Sequence, residues 1–152
     1  MTAPSDSFSH LDAAGRARMV DIGGKPDSVR TALAEGRLTC AAATIALLRA
    51  QALPKGDVLT VAKIAGIQGA KATSTLIPLC HPLALTSIDL EFTVETDGVA
   101  IRATARTTGR TGVEMEALTA VSVAALTLYD MCKAVDKAMA IGGICVVSKT
   151  KQ

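Results

Sequence analysis

The sequence predicts an α+β fold: a ferredoxin-like antiparallel sheet with covering helices, in a single domain. Three observations carry that prediction. Residues 112–137 read as one long helix, apolar through its middle. Residues around Asp97-Gly98 read as a β-hairpin with alternating faces. The remaining segments supply one strand and two helices before the hairpin and one strand after the long helix. The order is therefore strand, two helices, two strands, long helix, strand. Such a fold hosts many chemistries and specifies none of them.

Taken in order, the first nine residues (MTAPSDSFS) have linker composition and are expected to be flexible, leaving 10–152 as the domain. Residues 17–22 read as a strand, closed by a Gly23-Gly24-Lys25-Pro26 turn. Residues 27–36 read as a charged connection with Arg30 and Arg37 at its ends. Residues 41–53 are rich in Ala and Leu and read as a helix stopped by Pro54. Residues 57–75 read as a second helix, with Gly66 and Gly69 permitting close packing. The run LIPLCHP at 76–82 is an apolar loop bracketed by prolines.

The hairpin can be assigned a register. Asp97-Gly98 signals a two-residue type I′ turn, so that paired residue numbers sum to 195. Val94 then faces Ile101, Phe92 faces Ala103 and Leu90 faces Ala105, forming one apolar face. On the other face Thr93 meets Arg102 and Asp89 meets Arg106. Arg102 and Arg106 read as solubility charges rather than ligand contacts. After the long helix, Gly142-Gly143 is expected to turn the chain into a last strand at 144–149.

Composition narrows the function. The chain has 152 residues, 49% of them hydrophobic, yet Phe8, Phe92 and Tyr129 are its only aromatics. Its core must come from Ala, Val, Leu and Ile, and the apolar surplus points to subunit interfaces. A net charge of +2 is too balanced for a nonspecific DNA binder. One strand aromatic, Phe92, is too few for an RNA-binding sheet. The four cysteines (Cys40, Cys80, Cys132, Cys145) contain no CxxC pair, against a metal-carrying module. Free thiols, no signal peptide and no long apolar run predict a reduced, cytoplasmic protein without a membrane partner.

Four of the charged groups of interest, Glu114, Glu116, Asp130 and Lys133, lie on the long helix. Thirteen residues without formal charge separate Glu116 from Asp130. This stretch is too short to cross a bilayer, which needs about 20 apolar residues. Charges at the edge of a dry region are costly unless paired or used. Asp130 and Lys133, three apart on one helix face, read either as a local ion pair or as an acid and amine with shiftable pKa values. Lys55, in Pro54-Lys55-Gly56-Asp57, reads on its own as a solvated turn lysine. His81 reads equally as a hydrogen-bonded strand cap or as a ligand-facing imidazole. Cys80 reads as a small hydrophobe, and no second pair gives Cys80-His81 a metal site. Glu114 and Glu116 complement the helix dipole. Fourteen residues of helix hold Glu116 roughly 21 Å from Asp130. Either the acidic end is structural, or a neighbouring subunit completes the site.

LIPLCHP at 76–82, TGVEMEALTAVSVAALTLYDMCKAV at 111–135, KGDV at 55–58 and IAGIQGAK at 64–71 together resemble the cyclic pyranopterin monophosphate synthase family, as does SHLDAAGRARMVDI at 9–22. The chain departs from that family at Gly23-Gly24, where a Ser is common, and ends without the family's Gly/Lys/Ser-rich tail. The resemblance implies a lyase of molybdenum cofactor (molybdopterin) biosynthesis that converts 3′,8-cyclo-7,8-dihydro-GTP to cyclic pyranopterin monophosphate and pyrophosphate. It implies catalytic roles for Asp130, Lys133 and Lys55. It implies substrate contacts by Leu79, Cys80, His81, Met115 and Glu116, with Arg30 and Lys149 lining the pocket. It implies a homohexamer, a trimer of dimers with sites between chains, acting on a small nucleotide-derived substrate. No cofactor or protein-held metal is implied; any Mg²⁺ would arrive with the substrate's triphosphate.

Overall fold

The computed structural model describes residues 10–12 and 14–152; the flexibility expected of 1–9 concerns residues outside these. The chain runs β1 (Ser28–Thr39), α1 (Ala42–Arg49), α2 (Val58–Lys71), α3 (Thr73–Leu76), β2 (Leu85–Val94), β3 (Gly98–Gly109), α4 (Glu114–Cys132), β4 (Ala140–Lys151). The strands form one antiparallel sheet in the order β2-β3-β1-β4. The α+β, ferredoxin-like reading is borne out.

The first strand is not where the sequence reading put it. Segment 17–22 carries only an isolated bridge between Leu11 and Ala17. β1 instead occupies most of the supposed connection. Its Ala32, Ala34, Gly36 and Leu38 are buried and alternate with Leu33, Glu35 and Arg37. This is the period-2 pattern of a strand with one covered face; the charges of the exposed face masked it. α1 is shorter than expected because Gln51 adopts a left-handed φ of 51°, which ends the helix before Pro54. Asp57 caps α2, its carboxylate accepting from the Thr60 N–H at 3.1 Å. The second expected helix breaks at Ala72 into α2 and α3.

The hairpin register is displaced by two residues. Val94 pairs with Val99, Phe92 with Ile101, Leu90 with Ala103 and Ile88 with Ala105. The Glu95 N–H donates to the Gly98 carbonyl, so Thr96-Asp97 is the loop. Neither loop residue has a positive φ, which excludes a type I′ turn. Gly98 is a strand residue. A Cβ there would lie 2.4 Å from the Leu38 carbonyl oxygen, so glycine serves close approach of β1. Because the displacement is even, the apolar face survives intact. The charged pairs do not: Arg102 faces Glu91, and Asp89 bonds Lys63 of α2 at 2.8 Å rather than Arg106. Gly142 and Gly143 likewise lie inside β4, where pairing to β1 shifts between Glu35 and Arg37. They shape a bulge, with Gly143 at φ 63°, rather than a turn before the strand.

α4 packs on the sheet and on α2. By length and composition it could cross a membrane. Its Ala117, Ala120, Val121, Ala124, Ala125 and Leu128, however, are fully buried within the chain. The small apolar middle is therefore the domain's core.

Candidate active site

α4 is unbroken, so the charged groups at its two ends stay apart. Its N-terminal end opens on a cavity of about 340 Å³, within the range of small-molecule sites. Leu79, Cys80 and His81 line one side, and Met115 and Glu116 line another. The loop residues reach this position because Pro78 and Pro82 bracket a segment joining α3 to β2. The Met115 and Glu116 side chains come from the first turn of α4. All five are sequence-predicted site residues, and the fold unites them.

His81 is a hydrogen-bonded histidine, but its bond joins two segments outside the strands and caps none of them. Its Nε2 lies 2.8 Å from the Val20 carbonyl oxygen, which can only accept, so this nitrogen carries the proton. Nδ1 is left for a ligand. Glu116 is 4% exposed, and burial pushes its carboxyl above the ordinary range. Its own backbone N–H offsets this in part, and the charge of Glu114 adds to it. Burial, and then the charge of Glu116, push the Cys80 thiol up, so it stays protonated near neutral pH. Glu114 behaves oppositely. Burial opposes its ionisation, but its backbone N–H and the Lys149 ammonium, 3.0 Å away, hold it below the usual carboxylate range.

Two further cavities, of about 240 and 440 Å³, meet the first at Gly112. Arg30 lines both, and Lys149 lines the smaller. The Arg30 Nε is buried without a hydrogen-bond partner, an unused donor beside open space. Lys25, Arg110 and Lys151 complete this basic furrow. The sequence reading assigned them no role. Lys25 had a visible signal, a lysine in a Gly-Gly-Lys-Pro turn. Arg110 and Lys151 gave none, since only strand pairing brings them together.

The C-terminal end of α4 carries Asp130. Its Oδ1 accepts from Lys133 at 2.7 Å, and its Oδ2 from Lys55 at 2.7 Å. The Lys55 ammonium also donates to the Asp130 carbonyl at 3.0 Å. Lys55 is thus no free turn lysine: the α1–α2 loop delivers it to the last turn of α4. The hydrogen bonds of Lys133 and then Lys55 hold the Asp130 carboxyl at about 2. Asp130 in turn raises Lys133. One expectation fails here. The Asp130 and Lys133 side chains are 53% and 55% exposed, so no dry pocket encloses them within one chain. The apolar residues that promised one are spent in the core. Among the described residues, no three His, Cys, Asp or Glu side chains form a metal cage.

With this geometry in place, comparison with known proteins is decisive. Residues 19–152 match the model of the MoaC family. The chain belongs to the MoaC family. It is 58% identical to a cyclic pyranopterin monophosphate synthase of Chloroflexus aggregans, over 98% of this chain and 92% of the relative. It is 57% identical to the synthase of Streptomyces coelicolor, over 97% of this chain and 86% of that protein. A molybdenum cofactor biosynthesis bifunctional protein of Chlorobaculum tepidum is 61% identical over 94% of this chain, which spans 46% of that protein. In this member of the MoaC family, the residues singled out from sequence form two clusters at opposite ends of one helix.

Proposed function

We propose that the chain is a cyclic pyranopterin monophosphate synthase, converting 3′,8-cyclo-7,8-dihydro-GTP to cyclic pyranopterin monophosphate and pyrophosphate in molybdenum cofactor biosynthesis. The observation that carries this reading is the pair of clusters: a cationic furrow with a cavity, and a carboxylate held between two ammonium groups. A triphosphate needs the first, and repeated proton transfer on a purine ring needs the second.

In this reading Arg30 and Lys149 hold the triphosphate, and Leu79, Cys80, His81, Met115 and Glu116 hold the ring system, with His81 Nδ1 as an acceptor for a ring N–H. Asp130, Lys133 and Lys55 move protons during ring opening and reclosure. Loss of pyrophosphate as the cyclic phosphate closes is chiefly a matter of holding a hydroxyl in line with the α-phosphate. Any Mg²⁺ comes with the triphosphate, and no resident cofactor takes part.

The state of Asp130 in one chain also bears on assembly. A carboxylate at about 2 is a weak base. Covering the cluster with a second chain would raise Asp130 and lower Lys133, toward values suited to proton transfer. We therefore infer a site completed across a two-fold interface, where the N-terminal end of one α4 meets the C-terminal end of another, within a hexamer built as a trimer of dimers. A cytoplasmic compartment fits the free thiols. Incubation with the cyclic dihydro-GTP should yield pterin product and pyrophosphate in equal amounts. Consumption of substrate without pyrophosphate, or no consumption, would contradict the assignment.

A further inference from the structure

The Lys55–Asp130–Lys133 cluster is assembled from two segments that the fold joins only weakly. Lys55 follows α1, whereas Asp130 and Lys133 end α4. α1 and α4 hardly touch. α1 is short, and its N-cap residue, Ala41, has no side chain with which to cap it. The acceptor comes from elsewhere in the chain. Asp136, three residues past Lys133 and 8% exposed, places Oδ2 2.8 Å from the Ala41 N–H and 3.0 Å from the Thr44 hydroxyl. Its Oδ1 accepts from the Ala138 N–H at 3.0 Å, fixing the turn that follows α4. Among the described residues, the bonds to Ala41 and Thr44 are the only side-chain hydrogen bonds between α1 with its N-cap and the segment after α4.

The far end of α1 transmits this anchorage. The Gln51 N–H donates to the Leu48 carbonyl and the Ala52 N–H to the Leu47 carbonyl, so the chain leaving the helix is fixed to it. The Gly56 N–H then donates to the Leu53 carbonyl beside Lys55. The Arg49 guanidinium also donates to the Val94 and Glu95 carbonyls at 3.2 and 3.3 Å, so α1 is held at both ends, and losing the Asp136 hold changes the tilt of the helix from which the Lys55 loop departs. We propose that Asp136 is a positioning residue for the reaction, setting where Lys55 stands against Asp130 and Lys133. This rests on the catalytic reading of that cluster.

The test is a kinetic comparison of Asp136→Asn, Thr44→Val, Thr44→Ser and Lys55→Ala, each assayed well below its melting temperature. An amide at 136 must turn its own N–H donors toward one of the two backbone N–H groups, Ala41 or Ala138, from which the carboxylate accepts, and valine at 44 loses the hydroxyl. Asp136→Asn should lower kcat about tenfold or more, the scale of a small misplacement, while KM changes less than about twofold. Thr44→Val should lower kcat less, and Thr44→Ser should restore it. If Asp136→Asn fails to fold, the Thr44 pair decides alone. Normal kcat in the folded variants, or a loss that matches the unfolded fraction, overturns the proposal while an inactive Lys55→Ala leaves the catalytic reading standing. Full activity of Lys55→Ala would overturn both.

Discussion

Asp130 shows how its neighbours set the ionisation of a single carboxylate. Two ammonium groups at 2.7 Å keep it ionised far below neutral pH. Its pKa in the folded chain, about 2, lies below the ordinary 3.8, so its contribution to stability is present above 3.8 and is lost as pH falls toward 2. Because the cluster is half exposed, that contribution is small. Asp130→Asn should therefore keep the fold and a melting temperature close to that of the unaltered chain at pH 7. Any difference in stability should shrink as the pH falls from 3.8 toward 2. The same change should remove most turnover, because an amide keeps the shape and loses the proton-accepting group. Near-normal pterin formation would return Asp130 to a helix-end ion pair. Glu116 illustrates the opposite tuning, its carboxyl raised by burial inside a cavity. Two acids on one helix thus sit on opposite sides of the ordinary range, as their surroundings dictate.

The helices and strands set these positions by close packing of small residues. At Gly66 of α2, a Cβ would lie 2.4 Å from Leu90 Cδ2 and 2.9 Å from the Ala120 carbonyl oxygen. Gly66→Ala should push α2 off α4 and β2 and destabilise the fold by about 1–3 kcal/mol, read as a lower midpoint of urea unfolding. An unchanged midpoint would mean that the interface yields freely. The same elements show what was legible from sequence. α4 was legible because its charge-free stretch is long, although its last turn ends at Cys132 and not at Lys137. The hairpin's faces were legible because alternation survives a displacement of two, whereas its register was not, because Gly98 looked like a turn glycine. β1 was missed because Glu35 and Arg37 of its uncovered face were read as a loop. Asp130 and Lys133 were joined from spacing alone, and Leu79, Cys80 and His81 through the family motif. Arg110 and Lys151 needed the sheet order that brings β3 and β4 against the start of α4.

Across the whole molecule, the functional groups fall at the two ends of a helix whose middle is buried in its own domain. The outer surface of the helical layer carries exposed apolar side chains: Leu126 is 61% exposed, Ile64 52% and Val61 42%. In the proposed assembly this surface, and not the small residues beneath it, would face the neighbouring subunit. Glu116 and Asp130 stand roughly 21 Å apart along one helix, so one small substrate cannot readily touch both in a single chain. Two antiparallel copies of α4 would bring the Glu116 end of each to the Asp130 end of the other. Subunit complementation tests this most directly. Glu116→Ala and Asp130→Asn proteins, each shown to be folded and inactive alone, are mixed in equal amounts and allowed to exchange subunits. A mixed dimer then holds one site with both residues intact and one with both altered. Random exchange should restore roughly a quarter of the unaltered activity, since half the dimers are mixed and each carries one working site. No recovery, with exchange demonstrated by mass, would place the whole site within one chain and contradict the account.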